Sequence, residues 1–157
     1  MISGHPNPFV RQRPDLPWPP PTEDNDRSRT IPKRVWKLAD VHEIAKAQLA
    51  DEGLNLIIPV TSDCAADIQK LELSAAGLAT RMLDLNEHHY DKSMWCKSSR
   101  KEGVKVREEM LWLPCDAYQI KTRERVAISG WEGDVEYYFK LCISPMKIVV
   151  MLVSVHL

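Results

Sequence analysis

The last quarter of the chain restricts its possible folds most. Apolar residues alternate with mostly polar ones over 135–143, at Val135, Tyr137, Phe139, Leu141 and Ile143. This period of two is typical of a strand with one buried face, because successive side chains leave a strand on opposite sides. Residues 148–155 form a nearly continuous apolar and β-branched run, which indicates a strand covered on both faces. Such a hairpin needs other strands and helices to cover it.

The chain before this hairpin begins with predicted helices. Apolar residues recur at three- and four-residue steps over 38–49, which predicts one helix with an apolar stripe. A helix start at Thr61 predicts a second helix to residue 71. Ser74 is expected to cap a third helix that runs to about residue 86.

Strands are predicted after these helices. Residues 110–120 are typical of a strand, in which Pro114 indicates an edge position or a bulge. Residues 121–125 predict a polar loop, and 126–128 a further short strand. The order of elements predicts an α+β fold, in which N-terminal helices pack on a C-terminal antiparallel sheet in two layers.

The first 30 residues differ in composition from the rest. Eight of the eleven prolines lie between Pro6 and Pro32, and prolines favour an extended, polyproline-like path. We therefore predict a flexible tail over 1–30 and a single α+β domain over 31–157. This tail could be a ligand for an aromatic groove, but we favour a leader or an arm lying on its own domain.

The charge and the hydropathy pattern restrict what the protein binds and where it is located. The net charge of −1 indicates that the molecule as a whole does not bind nucleic acid electrostatically, so such binding requires a local patch. The sequence has no apolar run of about 20 residues, so no membrane span is predicted. No apolar segment follows Arg11 and Arg13, which argues against a secretory signal and predicts a cytoplasmic protein. Its four widely spaced cysteines are then expected to be reduced and buried.

Metal and cofactor motifs are weak. His88, His89 and Cys96 are residue types that bind zinc, but adjacent histidines point apart on any regular element and no second metal-spaced pair accompanies them. The sequence has no glycine-rich phosphate loop and no dinucleotide fingerprint. We predict neither a metal nor a cofactor.

A basic segment and one strand face indicate a site for RNA. Five basic residues and one acidic residue occur between 97 and 107, and a basic loop can follow a phosphate backbone. Tyr138 and Lys140 are two residues apart and share a face of their strand. The predicted RNA-binding residues are Lys97, Arg100, Lys101, Lys105 and Lys140. The alternatives are a solvated surface loop and a half-buried tyrosine of the sheet.

From about Ile31 onward the chain resembles the motility-quorum-sensing-regulator (MqsR) toxins, mRNA interferases of RelE-like fold. A Leu-rich helix leads into Tyr-Asp-Lys-Ser-Met at 90–94, similar to the family's Phe-Tyr-Lys-Ser-Met. Trp112, Asp116 and Tyr118 are similar to a Trp-Gln-Asp-Val-Tyr strand. The strands over 136–141 and 149–155 resemble the last two strands of the family.

The resemblance implies a function and three catalytic positions. It implies a metal-independent endoribonuclease that cleaves mRNA by attack of the 2′-hydroxyl, with a cognate antitoxin as protein partner. Lys92 would bind or polarise the scissile phosphate, and Tyr138 would be the active-site tyrosine. His156 stands where the family has its C-terminal lysine and would act as general acid or base, since its ordinary pKa is near neutrality.

Departures from the family pattern favour a second hypothesis. Leu113 replaces the family's catalytic glutamine, and two extra residues separate Trp112 from Tyr118. A simple hairpin at Pro145 would also place His156 opposite Val135, on the face away from Tyr138, so the active-site hypothesis requires a bulge or an odd turn. The alternative is a non-catalytic RelE-like module that binds RNA or protein. The sequence leaves the oligomeric state open.

Overall fold

The computed structural model describes residues 7–18, 28–97, 112–126, 129–144 and 150–156. Its helices are α1 (Pro8–Gln12), α2 (Leu38–Ala50), α3 (Ser62–Lys70) and α4 (Ala75–Leu83), with a 3-10 turn at Glu87–His89. Its strands are β1 (Ser28–Ile31), β2 (Ile57–Pro59), β3 (Tyr90–Lys97), β4 (Trp112–Val126), β5 (Trp131–Ile143) and β6 (Val150–His156).

These strands form one six-stranded sheet in the order β1-β3-β4-β5-β6-β2. Neighbours from β1 to β6 are antiparallel, whereas β2 pairs with β6 in parallel. The predicted α+β fold is confirmed, and the parallel edge strand β2 adds to the predicted antiparallel sheet. The predicted caps are also confirmed: Thr61 Oγ1 accepts from Cys64 N at 3.1 Å, and Ser74 Oγ accepts from Gly77 N at 3.0 Å.

Two faces of the sheet have to be distinguished. We call the side with Asp116, Tyr118 and Tyr137 the helix face, since Arg81 of α4 lies over the Tyr137 ring. The side with Lys92, Gln119, Tyr138 and Lys140 is called the open face. The predicted alternation in β5 is confirmed, because Val135, Tyr137, Phe139, Leu141 and Ile143 are all buried.

The predicted polar loop over 121–125 is wrong, because β4 continues through these residues in register with β5. Glu124 is buried on the helix face while Lys121 and Arg123 are exposed, so the polar composition reflects alternation in a long ribbon. Pro114 pairs with Trp95 of β3 but precedes the β5 ladder. The predicted edge strand is wrong, because β4 lies between β3 and β5, and Pro114 occupies the part of β4 that precedes its pairing with β5.

The N-terminal segment differs from the predicted flexible tail. Phe9, Val10 and Leu16 belong to the hydrophobic core, and β1 extends the sheet beside β3. Asn7 is fully buried and donates from Nδ2 to the Trp112 carbonyl at 3.0 Å. The prediction of an unfolded tail is wrong for 7–18 and for the β1 residues, because apolar side chains between the prolines bury against the domain.

The four cysteines are free and buried, as predicted. No helix within the described ranges is long and apolar enough to cross a membrane. Three of these thiols, Cys96, Cys115 and Cys142, lie on the neighbouring strands β3, β4 and β5. The hydrogen bond with Cys115 and burial raise the pKa of Cys96, and burial raises the pKa of Cys115. Neutral, buried thiols of this kind behave as small apolar side chains.

An ion pair joins α4 to β4 on the helix face. Arg81 Nε donates to Glu124 Oε2 at 3.1 Å, and Nη2 donates to Oε1. Burial acts to raise the pKa of Glu124, but the hydrogen bonds from Arg81 and Thr122 outweigh it and hold the pKa below its usual 4.5. A lowered pKa means that the pair stabilises the fold above pH 4.5 and that this contribution is lost as the pH falls through the folded-state pKa.

Glu124→Gln is expected to lower the free energy of unfolding by about 2 kcal/mol at pH 7, because the charged acceptor for Arg81 is lost. The same substitution should reduce the loss of stability on acidification below about pH 4.5. Urea unfolding at a series of pH values measures both effects. Glu132→Gln, on the exposed part of β5, is the matched control and should leave both quantities nearly unchanged. Equal acid sensitivity of Glu124→Gln and the unmodified protein would contradict this role.

Candidate active site

Two predicted lysines lie on the open face in a single row across the sheet. Lys92 of β3 pairs with Ala117 of β4, which pairs with Lys140 of β5. Their backbones are therefore two strand spacings apart, about 10 Å. Ala117 between them is fully buried and adds only a methyl group. The register therefore places two lysines in one row across the same face of the sheet.

Tyr138 lies one position along the same face. It is half-buried, and Lys140 Nζ is 5.7 Å from the centroid of its ring. Burial raises the pKa of Tyr138 well above 10, and the hydrogen bond to the Asp91 carboxylate raises it further. The phenol therefore stays protonated at neutral pH, so that Tyr138 can donate a hydrogen bond but is a poor proton acceptor.

Asp91 reaches this face because β3 is irregular. Tyr90 pairs with Tyr118 and Lys92 with Ala117, so Asp91 is an extra residue in the ladder. In a regular strand, Asp91 and Lys92 would lie on opposite faces of the sheet. Here Asp91 Oδ2 accepts a hydrogen bond of 2.6 Å from the Tyr138 hydroxyl, on the open face. The bulge thus brings a carboxylate beside the tyrosine.

A second irregularity determines the position of His156. Leu141 pairs with Leu152, but Lys140 pairs with Ser154, so β6 contains one extra residue. Without it the register would place His156 opposite Tyr137, and with it the backbone of His156 lies opposite Tyr138. The simple hairpin considered from the sequence is wrong, and the irregularity that the active-site hypothesis requires is present.

The remaining RNA-binding predictions do not join this group. Lys97 is the last residue of β3 and pairs with Trp112, five residues and about 16 Å from Lys92 along the strand. Arg100, Lys101 and Lys105 lie outside the described residues. The structure therefore brings together Lys92, Tyr138, Lys140 and the backbone position of His156, residues that are up to 64 positions apart in the sequence.

Two neighbours of Tyr138 were missed by the sequence analysis. Asp91 directly precedes Lys92 in the motif on which the resemblance rests, but no role was predicted for it. Gln119 is the register partner of Tyr138 in β4, and its side-chain amide donates to Glu136 Oε1. Leu113, which stands where the family has a glutamine, is buried in the part of β4 that precedes the β5 ladder.

Neither a protein-family model nor a curated protein matches the chain. The resemblance to MqsR toxins therefore stays a prediction, and the chemistry of the open face rests on its own residues.

Of the two histidines that raised the question of a metal, His89 has a structural role. His89 Nδ1 accepts from the Asn86 amide at 3.0 Å and closes the cap of the 3-10 turn. Among the described residues, no group of three or more His, Cys, Asp or Glu side chains is arranged to hold a metal ion. Around Tyr138, the open face carries the ammonium groups of Lys92 and Lys140 and the carboxylate of Asp91.

Proposed function

We propose that this protein is an mRNA interferase of a toxin–antitoxin system, a metal-independent endoribonuclease that acts in the cytoplasm. The observation that supports this proposal most is the gathering of Lys92, Tyr138, Lys140 and the His156 backbone on one exposed face. Three strands contribute to the group, and the bulge in β6 brings in His156. Bulges are frequent next to active sites because they redirect side chains.

The chemistry of the group suits cleavage by an internal nucleophile. The 2′-oxygen of RNA attacks the adjacent phosphorus and the bond from phosphorus to the 5′-oxygen breaks, which leaves a cyclic phosphate and a 5′-hydroxyl. Charge builds up on the phosphoryl oxygens in this step, and Lys92 and Lys140 would stabilise it from either side. The Tyr138 hydroxyl, which donates to Asp91, would stay protonated beside the phosphate, and His156 would supply the proton to the leaving 5′-oxygen.

Two partners follow from this proposal. The mRNA would lie across the open face, with its phosphate between the lysines. A cognate antitoxin protein would bind over the same face and exclude RNA, because one surface cannot hold both.

Buried Leu113 favours a second candidate function. An apolar residue where the family has a catalytic glutamine is compatible with a RelE-like module that binds RNA or protein and performs no chemistry. Such a module would bind RNA with an affinity that falls steeply with salt, because lysine contacts release counterions, and would leave the RNA intact.

Lys92→Ala is expected to lower the rate of RNA cleavage about 100-fold, since one charge that stabilises the transition state is lost. The purified protein is incubated with a defined mRNA in the presence of EDTA, and the ends of the products are mapped. Discrete cuts that carry cyclic phosphate support the proposal. Lys46→Ala, which removes an exposed lysine of α2, is the matched control and should cleave at the unmodified rate.

Two outcomes of this assay count against the proposed chemistry. Salt-sensitive RNA retention by the unmodified protein without any cut would favour the binding module. Cleavage by Lys92→Ala at the rate of Lys46→Ala would remove the open face as the site of the reaction. RNA with a 2′-deoxy sugar at the mapped cut should resist cleavage, because the nucleophile is missing.

A further inference from the structure

Asp91 carries a carboxylate that has no role in the reaction proposed above. It is exposed on the bulge of β3, so that a substrate can approach it. The Tyr138 hydroxyl holds its Oδ2 at 2.6 Å. This hydrogen bond fixes the carboxylate on the face where Lys92 and Lys140 would bind the scissile phosphate.

The charged and polar groups around Asp91 differ in what they can do with a proton. Lys92 on β3 and Lys140 on β5 are ammonium groups, which have donors and no acceptor. Tyr138 is held in its protonated form. Glu136, two residues from Tyr138, is engaged by the amide of Gln119. A carboxylate is an acceptor in its ionised form. Asp91 and Glu136 are both exposed, and Asp91 is the one that directly precedes Lys92 and is bound by Tyr138.

We infer that Asp91 is the general base of the proposed reaction, the group that removes the proton from the attacking 2′-hydroxyl. This inference rests on the proposed endoribonuclease function and adds a catalytic residue to it. It stands on the bulge, on the hydrogen bond from Tyr138 and on the position of Asp91 next to Lys92.

The step balances without another reactant. The 2′-hydroxyl gives its proton to an Asp91 carboxylate oxygen while the 2′-oxygen forms its bond to phosphorus. The bond from phosphorus to the 5′-oxygen breaks, and that oxygen takes a proton from His156. Tyr138 keeps its own proton throughout and acts as a positioning residue for Asp91.

Asp91→Asn distinguishes between two roles of Asp91, that of a general base and that of a residue that only orients Tyr138. The asparagine side chain retains a carbonyl oxygen that can accept from the Tyr138 hydroxyl, but it cannot take up a proton at neutral pH. We expect the single-turnover cleavage rate to fall about 100-fold or more, the usual contribution of a general base. The affinity for the same RNA with a 2′-deoxy sugar at the cut should remain within about threefold of the unmodified protein.

Two further variants distinguish failure of the general-base assignment from failure of the proposed function. Asp84→Asn, an exposed aspartate at the end of α4, should cleave at the unmodified rate. If Asp91→Asn cleaves within about threefold of the unmodified protein, Asp91 is not the base, whereas the proposed function stands. If the unmodified protein does not cleave RNA, the proposed function fails and the inference fails with it. Partial recovery in Asp91→Glu would support the need for a carboxylate.

Discussion

Phe9→Ala is expected to lower the free energy of unfolding by about 3 to 5 kcal/mol, the usual cost of removing a buried phenylalanine. Phe9 is only 3% exposed, and its ring makes an edge contact with Trp36 at 5.9 Å between centroids. The ring joins the N-terminal arm, residues 7–18, to the segment before α2, so its removal leaves a space between the two. Urea or thermal unfolding measures the change.

This substitution also tests the position of the arm. Gln12→Ala, an exposed residue of the same short helix, should change the stability by less than about 0.5 kcal/mol. Equal stability of Phe9→Ala and Gln12→Ala would mean that residues 7–18 do not pack on the domain. The carbonyl of Pro17, which accepts from Trp95 Nε1 at 2.7 Å, is a second attachment of this arm.

Asp116→Ala is expected to cost about 3 kcal/mol, because its carboxylate is the acceptor for three buried donors. It accepts from the backbone amides of Val35 and Trp36 at 2.9 and 2.8 Å and from Ser93 Oγ at 2.6 Å. Burial raises the pKa of Asp116 despite these donors. Removal of the carboxylate therefore relieves some desolvation, which is why the expected cost is well below the sum of three orphaned groups.

The comparison variant for this position is Asp84→Ala, which removes an exposed carboxylate and should leave the stability nearly unchanged. Equilibrium unfolding in urea gives both values, and the slope with denaturant should be the same for both proteins. A cost below about 1 kcal/mol for Asp116→Ala would show that water or other groups satisfy the three donors. Asp116 would then not be the connection between the sheet and the segment before α2.

Secondary structure was predictable where one local signal dominates. The alternation in β5 and the caps at Thr61 and Ser74 depend on neighbouring residues alone, and all are confirmed. The polar segment 121–125 was predicted wrongly because its partner strand, residues 131–136, determines that it stays extended. Composition cannot distinguish a polar loop from a solvated two-stranded ribbon.

The proline-rich start of the chain was predicted wrongly for a related reason. Prolines exclude regular hydrogen bonding over much of 6–21, and this local property suggested a tail. Phe9, Val10 and Leu16 nevertheless bury, because the free energy of removing them from water depends on the surface available elsewhere in the domain. That surface is known only once the sheet is assembled.

The candidate site depends both on residue identity and on tertiary structure. Residue identity alone determined that Lys92, Tyr138 and Lys140 were candidates, since their side chains carry the charge and the proton that phosphate chemistry needs. Tertiary structure decided which candidates meet. The extra residues in β3 and β6 shift each ladder by one position, and because side chains alternate along a strand, such a shift changes the face on which a residue lies. These shifts bring the Asp91 side chain and the backbone of His156 beside Tyr138, and no local pattern in the sequence marks them.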